Sequence, residues 1–350
     1  MPYKSIVIFF ALIFICFSFQ KSSVTIDTSF EVMFYNVENL FDTIDDPHTN
    51  DNDYLPNGKN NWNTQKYNSK LANLSKVIHA INQKNIPELI GVCEIENRNV
   101  LKDLINVSKL NKHAIAHFES PDDRGIDVAL LYDSTRFKLI NTKPIYVQLC
   151  LNSVYLNQLD PNKALAMINA MGGSKTRNIL LATLLHQQDT YHVLVNHFPS
   201  RMGGKEQSEI KRIMVAEVLK TEIDKLQTAN RNAKIIVMGD FNDEPTDQCL
   251  QTVLRACGAD SAENCALYNP YLSLMKAGKG TYKYHGKMDM LDQIMISFSL
   301  RKKNSVSSVF DPDWLKQTGK WAGYPLRTFG GKIYLNGYSD HFAVITTFTN

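Results

Sequence analysis

The stretch IIVMGDFNDEP, residues 235–245, sets four apolar residues directly against Gly239, Asp240, Asn242, Asp243 and Glu244. Ile235 to Met238 have the length and composition of a strand buried on both faces. Such a strand gains nothing from carboxylates at its end unless something there uses them. The arrangement recurs: NVEN supplies Asn36 and Glu38, CEIEN Glu94 and Glu96, NHFPSR Asn196, His197, Ser200 and Arg201, LDQ Asp292, and SDH Ser339, Asp340 and His341. Polar clusters at the ends of buried strands are where open sheets place their ligands. The chain must therefore fold so that these ends converge.

The segments between them alternate in character. FEVMFYN (30–36), LIGV (89–92), IDVALLY (126–132), FKLINTKPIYVQL (137–149), NILLATLL (178–185), TYHVLVNHF (190–198), MLDQIMIS (290–297) and HFAVITTF (341–348) read as strands. IDVALLY and FKLINTKPIYVQL are joined by the turn DSTR and read as neighbours. Tyr67, Leu71, Leu74, Val77, Ile78 and Ile81 recur at helical spacing, with Thr64 as the expected cap and Pro87 and Glu88 as the stop. A second helix starts near Asn97, and a long one runs from Gly204 to Gln227 with Ile210, Met214, Val218 and Leu219 inward. Strand and helix units mixed with strand pairs predict a layered α/β domain rather than an all-parallel one. A chain of 350 residues with 44% hydrophobic and 21% charged residues has the core for it. The net charge of +3 permits a phosphate-bearing substrate and falls well short of a composition that coats nucleic acid.

The first residues follow a different logic. Ile6 to Phe19 is an uncharged apolar run after Lys4, too short for a comfortable bilayer span and suited to a signal-peptide core. Residues 1–22 are expected to be an export signal and 23–350 a single catalytic domain; the rival is an uncleaved anchor, because no small-x-small cleavage site is evident. Phe14 and Ile15 stand before Cys16 where a lipid-attachment motif wants small residues. Export places the mature chain in the periplasm or outside the cell, where cysteines pair. Cys249, Cys257 and Cys265 lie close enough for one local disulfide, with the pairing open, alongside Cys93 and Cys150. No zinc-type spacing occurs.

The clustered side chains are carboxylates, amides and two histidines, which make a hard oxygen site suited to magnesium, manganese or calcium. An ion of that kind polarises a phosphoryl oxygen and steadies a leaving alkoxide. Taken in order, the six segments resemble the endonuclease/exonuclease/phosphatase superfamily, which includes pancreatic-type deoxyribonucleases, abasic-site repair endonucleases, inositol-polyphosphate phosphatases and bacterial sphingomyelinases. The resemblance implies a four-layer sandwich of two packed mixed β-sheets flanked by helices. It implies that Glu94 is the principal metal ligand, with Asn36, Glu38 and Asp340 beside it. Asp240 would activate the attacking water and Asn242 would hold phosphate and water in place. His341 would contact the scissile phosphate, oriented by Asp292, and His197 would be a second phosphate-facing histidine of the deoxyribonuclease-like branch.

Each motif alone has a plain structural reading: GDFND as an Asx turn, Glu96 as a helix cap, Arg201 as a solvated charge. Their conjunction is what points to a site. Arg124 and Asp127 in DDRGIDVALLY resemble a segment beside the active site, with Asp127 either orienting His197 or forming a buried ion pair. Arg201, Lys205, Lys211 and Arg212 stand near the site mouth, either to meet phosphate as the backbone amides there would or as a solvated helical face, and Arg124, Asp127 and Arg201 are the candidate substrate-binding residues. The expected function is hydrolysis of nucleic acid by a monomeric phosphodiesterase, with Trp314 and Trp321 as candidate base-stacking or membrane-contacting aromatics. A phosphomonoesterase or lipid phosphodiesterase is the alternative, and a binding protein that kept the fold without the chemistry is a third.

Overall fold

The computed structural model describes residues 28–82, 85–147, 175–258, 265–301 and 304–349, and the single positions 1, 157 and 160. The expected export segment beyond Met1, with Cys16 and also Cys150, lies outside them. In chain order the strands are β1 (Phe30–Leu40), β2 (Leu89–Ile95), β3 (His113–His117), β4 (Asp127–Asp133), β5 (Lys138–Ile145), β6 (Ile179–His186), β7 (Asp189–His197), β8 (Lys234–Asp240), β9 (Ala256–Cys257), β10 (Leu267–Tyr268), β11 (Tyr282–Tyr284), β12 (Lys287–Asp289), β13 (Asp292–Ile296), β14 (Asn304–Phe310), β15 (Phe329–Gly330), β16 (Ile333–Tyr334) and β17 (Ala343–Thr349). The longest helices among the described residues are α1 (Thr64–Ile81), α2 (Arg98–Val107) and α3 (Lys205–Ala229).

Two mixed sheets result, one of order β14-β17-β1-β2-β4-β3 and one of order β5-β6-β7-β8-β13-β10-β9. Strand alternation then sorts the core into three layers. Phe30, Val32 and Phe34 of β1 meet Val193 and Val195 of β7 and Ile236 and Met238 of β8 between the sheets. Met33, Tyr35 and Val37 face the other way, onto α1 and α2. Ile235 and Val237 of β8 turn outward to Ile213, Leu219 and Ile223 of α3. The architecture is the expected four-layer sandwich.

The differences from the sequence reading are local. β4 and β5 are not neighbours: they sit in different sheets, so the DSTR turn carries the chain across the sandwich rather than closing a hairpin. Helix α1 is capped by Asn63, whose side chain accepts from the Lys66 amide, and Thr64 is its first helical residue. Asn97, not Glu96, caps α2 by accepting from the amides of Asn99 and Val100. Glu96 instead accepts from the Asp42 amide at 2.7 Å, and burial, reinforced by Asp42, Asp51 and Asp46, pushes its carboxyl up to about 8. The disulfide joins Cys257 to Cys265. Cys249 is buried, with its thiol donating to Asp243.

Candidate active site

The polar residues come together because they continue the inward rows of the core. In β1 the inter-sheet residues are Phe30, Val32 and Phe34, and the next position on that face is Asn36. In β7 the row Tyr191, Val193, Val195 ends at His197, and in β8 the row Ile236, Met238 ends at Asp240. Asp292 precedes Ile294 and Ile296 on the same face of β13. The registers align them: His197 is level with Asp240 across the β7–β8 pair, and Asp240 with Asp292 across β8–β13. The site is thus the last layer of the inter-sheet core, built in polar side chains. Gly239 is required for the same closeness, since a Cβ there would lie 2.5 Å from the Asn196 carbonyl oxygen of β7.

Glu94 reaches this layer by a departure from regularity. In a straight strand it would share the face of Ile90 and Val92 and point under the helices. Instead the register of β2 shifts between Cys93 and Ile95, and Glu94 takes a left-handed φ of 62°. Such a bulge re-aims a side chain at the cost of local strain. Its carboxylate accepts from Asn36 Nδ2 at 3.1 Å and from the Asn39 amide at 3.0 Å. Glu38, Asn39 and Asn242 also adopt left-handed φ values, so the backbone is bent repeatedly around this point.

Asp240 is the hub. One carboxylate oxygen accepts from the Asn242 amide at 2.9 Å; the other accepts from Asn36 Nδ2 at 3.0 Å and lies 3.7 Å from His197 Nε2 and 3.9 Å from His341 Nε2. Burial raises its pKa above the ordinary aspartate value, against the pull of His341. The two histidines are pushed apart. Burial alone would lower His341, but Asp292, 2.7 Å from its Nδ1, and Asp240 carry its pKa well above 6.5. His197 is lowered well below that value by burial and then by Arg177, Arg124 and His341. Neighbouring carboxylates thus push His341 toward the imidazolium form, and burial and neighbouring positive charge push His197 toward the neutral one. His197 Nδ1 is buried with no partner among the described residues. An orphaned N–H is costlier than an orphaned lone pair, so the proton belongs on Nε2, aimed at the carboxylates of Glu94 and Asp240.

Around this floor opens a cleft of about 680 Å³, lined by Glu94, Asp340, Asn242, Arg124, Arg201 and Tyr282 among others. The donors facing it are hard oxygens with two imidazoles. The one nearby thiol, Cys93, is fully buried and its pKa is driven up by burial and by Asp240. This set fits a divalent cation of the magnesium, manganese or calcium kind; Glu94 and Asp340 line the cleft, and Asp240, Asp292 and His341 bring ligand atoms within 4.8 Å of one another at its floor.

Several expected residues take other positions. Asn36 stays within the site, where its side-chain oxygen accepts from the Glu38 amide at 2.9 Å and its N–H groups donate to Glu94 and Asp240. Glu38 is buried behind the site, accepting from the Thr328 amide at 2.7 Å and paired with Arg327 and Lys70. Arg327 in turn holds Asp340 at 3.0 Å. Asp127 does not orient His197. It belongs to the opposite face of β4, with Ala129 and Leu131, and pairs with His117 at 3.0 Å. Arg201 is no solvated charge: it ties the Asn242 carbonyl to Asp289 at 2.8 and 2.9 Å. Arg212 is fully buried on Asp243 at 2.7 Å. Arg177, which spans Asp122 and the Phe198 carbonyl, and the buried Lys70 escaped the sequence reading, since a lone basic residue carries no pattern.

The Endonuclease/Exonuclease/phosphatase family profile matches residues 31–350. The chain belongs to this family. It is accordingly a metal-dependent phosphoric ester hydrolase. Solved structures similar to this endonuclease/exonuclease/phosphatase protein include a Bacteroides thetaiotaomicron VPI-5482 mannosyl-6-phosphatase (15% identity, 92% of this chain and 100% of that one, TM-score 0.55). The human nocturnin catalytic domain with bound sulfate is similar at 16% identity over 93% and 96% of the chains (TM-score 0.54). D. rerio TDP2 with a single-strand DNA product is similar at 14% identity over 93% and 100% (TM-score 0.53). At such identities the likeness is one of fold. No curated protein matches the chain in sequence.

The split between the histidines gives a pH profile for this phosphoesterase. kcat/KM should fall on the acid side as Asp240, raised above 3.8, protonates, and on the alkaline side as His341, raised above 6.5, loses its proton. Replacing Asp292 by asparagine removes the negative charge that raises His341. The alkaline limb should then move toward neutrality and the acid limb toward lower pH, since Asp292 also raises Asp240, and a pH–rate profile of both proteins checks this.

Proposed function

We propose that this enzyme hydrolyses phosphodiesters of single-stranded nucleic acid by in-line attack of water, with magnesium as the resident ion, and that it acts as an exported monomer through a single catalytic domain. The observation that carries the catalytic part is the hub at Asp240, which faces one neutral and one cationic imidazole at 3.7 and 3.9 Å. Asp240 accepts the proton of the attacking water, and Asn242 holds the loop that positions it. The His341 imidazolium, kept charged by Asp292, donates to a non-bridging phosphoryl oxygen as negative charge builds there. His197 Nε2–H donates from the other side. Glu94 and Asp340 would hold a divalent cation, which would supply Lewis acidity at the phosphoryl group and charge for the leaving oxygen.

Nucleic acid is favoured by the aromatic residues that line the cleft, Tyr282 and Tyr284, and by the similarity to TDP2 with its single-strand DNA product. Export is supported by the Cys257–Cys265 disulfide, which suits an oxidising compartment. Among the described residues no helix is long and apolar enough to cross a membrane. A second reading, a small phosphomonoester, is favoured by the state of the rim. Lys205 is paired with Asp247 at 2.6 Å and Lys287 with Glu244 and Asp289, leaving little unpaired positive charge for a long phosphate backbone.

The test is hydrolysis of single-stranded DNA, RNA, duplex plasmid, sphingomyelin and a sugar phosphate by the mature chain, with magnesium or with EDTA. Magnesium-dependent cleavage of the single strands is expected. Turnover confined to the sugar phosphate would replace the first reading by the second. Glu94→Gln should raise the magnesium concentration needed for half-maximal rate about tenfold or more, in the range typical of losing a charged ligand or its support, read from a metal titration of the rate.

A further inference from the structure

The cleft is larger than a phosphate needs and lies within the range of pockets that hold a whole small ligand. Its hydrophobic wall is a single hairpin. β11 and β12 pair antiparallel from Tyr282–Asp289 to Tyr284–Lys287, and His285 and Gly286 between them both take positive φ, 46° and 84°, as a two-residue type I′ turn requires. The root of this hairpin is fastened to the catalytic elements. Thr281 Oγ1 accepts from the amides of Leu291 and Asp292 at 3.1 Å each, and the Thr281 carbonyl accepts from the Phe342 amide at 2.8 Å. Tyr282 also forms a β-bridge with His341. The turn is held at the other end by the Gly286 amide, which donates to Tyr324 Oη at 2.7 Å.

The rings form a continuous aromatic face that leads away from the phosphate position. Tyr282 packs on the His341 imidazole with centroids 4.9 Å apart, and Tyr284 follows it at 6.5 Å with the planes only 18° from parallel. Tyr282 is half-buried, whereas Tyr284 is 58% exposed, an unusual investment for a large ring on a rigid strand. Met202, 86% exposed, lines the same cleft from the loop that precedes α3. Beyond a phosphate held at His341 there thus stand two tyrosine rings in succession, the outer one, Tyr284, meeting His285 edge-to-face at 4.1 Å.

We infer that Tyr284, backed by Tyr282, is the stacking platform for the nucleobase next to the scissile phosphate, and so sets the preference for nucleotide over other phosphate esters. This rests on the reading that the site takes nucleic-acid phosphate, and it adds the residue that recognises the base. Aromatic stacking tolerates any base, because every base offers a π-face.

The test is calorimetric binding to the Asp240→Ala protein in magnesium, which turns its ligand over about 10³- to 10⁴-fold more slowly. Thymidine 5′-monophosphate and 2-deoxyribose 5-phosphate share sugar and phosphate and differ only in the base. The nucleotide should bind about 5- to 100-fold more tightly, the range that stacking on one aromatic side chain gives. Adding Tyr284→Ala should bring the two ligands to within about twofold, and Tyr284→Phe should keep the preference, since the ring face is what acts. Equal affinities, no measurable nucleotide binding, or a base preference that survives Tyr284→Ala overturns the inference. Failure of the nuclease reading shows separately, as intact single strands in the hydrolysis assay, and leaves this binding comparison standing.

Discussion

Asp240→Ala is expected to reduce kcat by about 10³- to 10⁴-fold while the midpoint of thermal unfolding stays level or rises. The rate loss follows from the role. Removing a positioned general base typically forfeits ~10²- to 10⁴-fold, and Asp240 is also one of the two carboxylates that keep His341 charged. The stability half follows from burial. Asp240 is 1% exposed and its charge is disfavoured by that burial and by Asp292. Its raised pKa means that the folded state holds the proton more tightly than the unfolded chain does. Folding is therefore least favourable above the folded pKa, where the charge must be kept in the interior. Alanine removes that burden, while leaving the Asn36 and Asn242 amides without this acceptor and His341 with one carboxylate fewer. A structural aspartate would behave in the opposite way, since deleting a paired buried acid lowers stability. Kinetics with single-stranded substrate beside differential scanning calorimetry at neutral pH reads both quantities. A large drop in unfolding midpoint with retained turnover would remove Asp240 from the mechanism.

The parity of the strands explains what could be read without a structure and what could not. His197, Asp240 and Asp292 were legible because each occupies the next inward position of a strand whose apolar row is plain in the sequence, so identifying the strand already aims the side chain. Glu94 was legible only through its motif. Its own strand would have pointed it at the helices, and the bulge that redirects it leaves no trace in an apolar pattern. Asp127 takes the second of its two readings, the buried ion pair: its parity puts it on the helix side of β4, where it meets His117. The placement of β4 and β5 in separate sheets was illegible because a short turn between two strands suggests a hairpin, and only the global sheet order decides otherwise. Glu38, Lys70 and Arg327 form an ion chain across residues 38 to 327 that secures Asp340 from behind. Contacts at such sequence separation carry no local signature.

Arg212 gives the largest expected effect on stability, and it comes from a residue that reads as a solvated helical charge in the sequence. In the structure neither Arg212 nor Asp243 is exposed at all, and the guanidinium lies 2.7 Å from the carboxylate. Arg212 also donates to Ser208 Oγ at 2.8 Å and the Lys205 carbonyl at 2.9 Å, so it pins the first turn of α3 beneath the loop that carries Asp240 and Asn242. Breaking a buried pair from one side costs ~3–5 kcal/mol because the remaining charge loses its close partner; Asp243 would keep only Arg201 Nε at 3.8 Å and the Cys249 thiol at 3.1 Å. Arg212→Ala should therefore lower the unfolding midpoint by something on the order of 10 °C. The loss should depend on pH in a definite direction. Burial raises Asp243 to about 6 against the opposing pull of Arg212. Above that pH the folded protein carries the buried carboxylate as a charge, and below the unfolded value of 3.8 the acid is neutral in both states. Without Arg212 the folded pKa rises further, so the penalty relative to the parent protein grows as pH increases and shrinks in acid. Thermal melts of the two proteins at about pH 5 and about pH 8 should show the smaller gap at the lower pH. Arg212→Met combined with Asp243→Leu should recover most of the stability at either pH, since the cost lies in the unpaired charge rather than in the missing contact. Equal gaps at both pH values would mean that Arg212 supports the helix by packing and by its bonds to Ser208 and Lys205, with the ion pair contributing little.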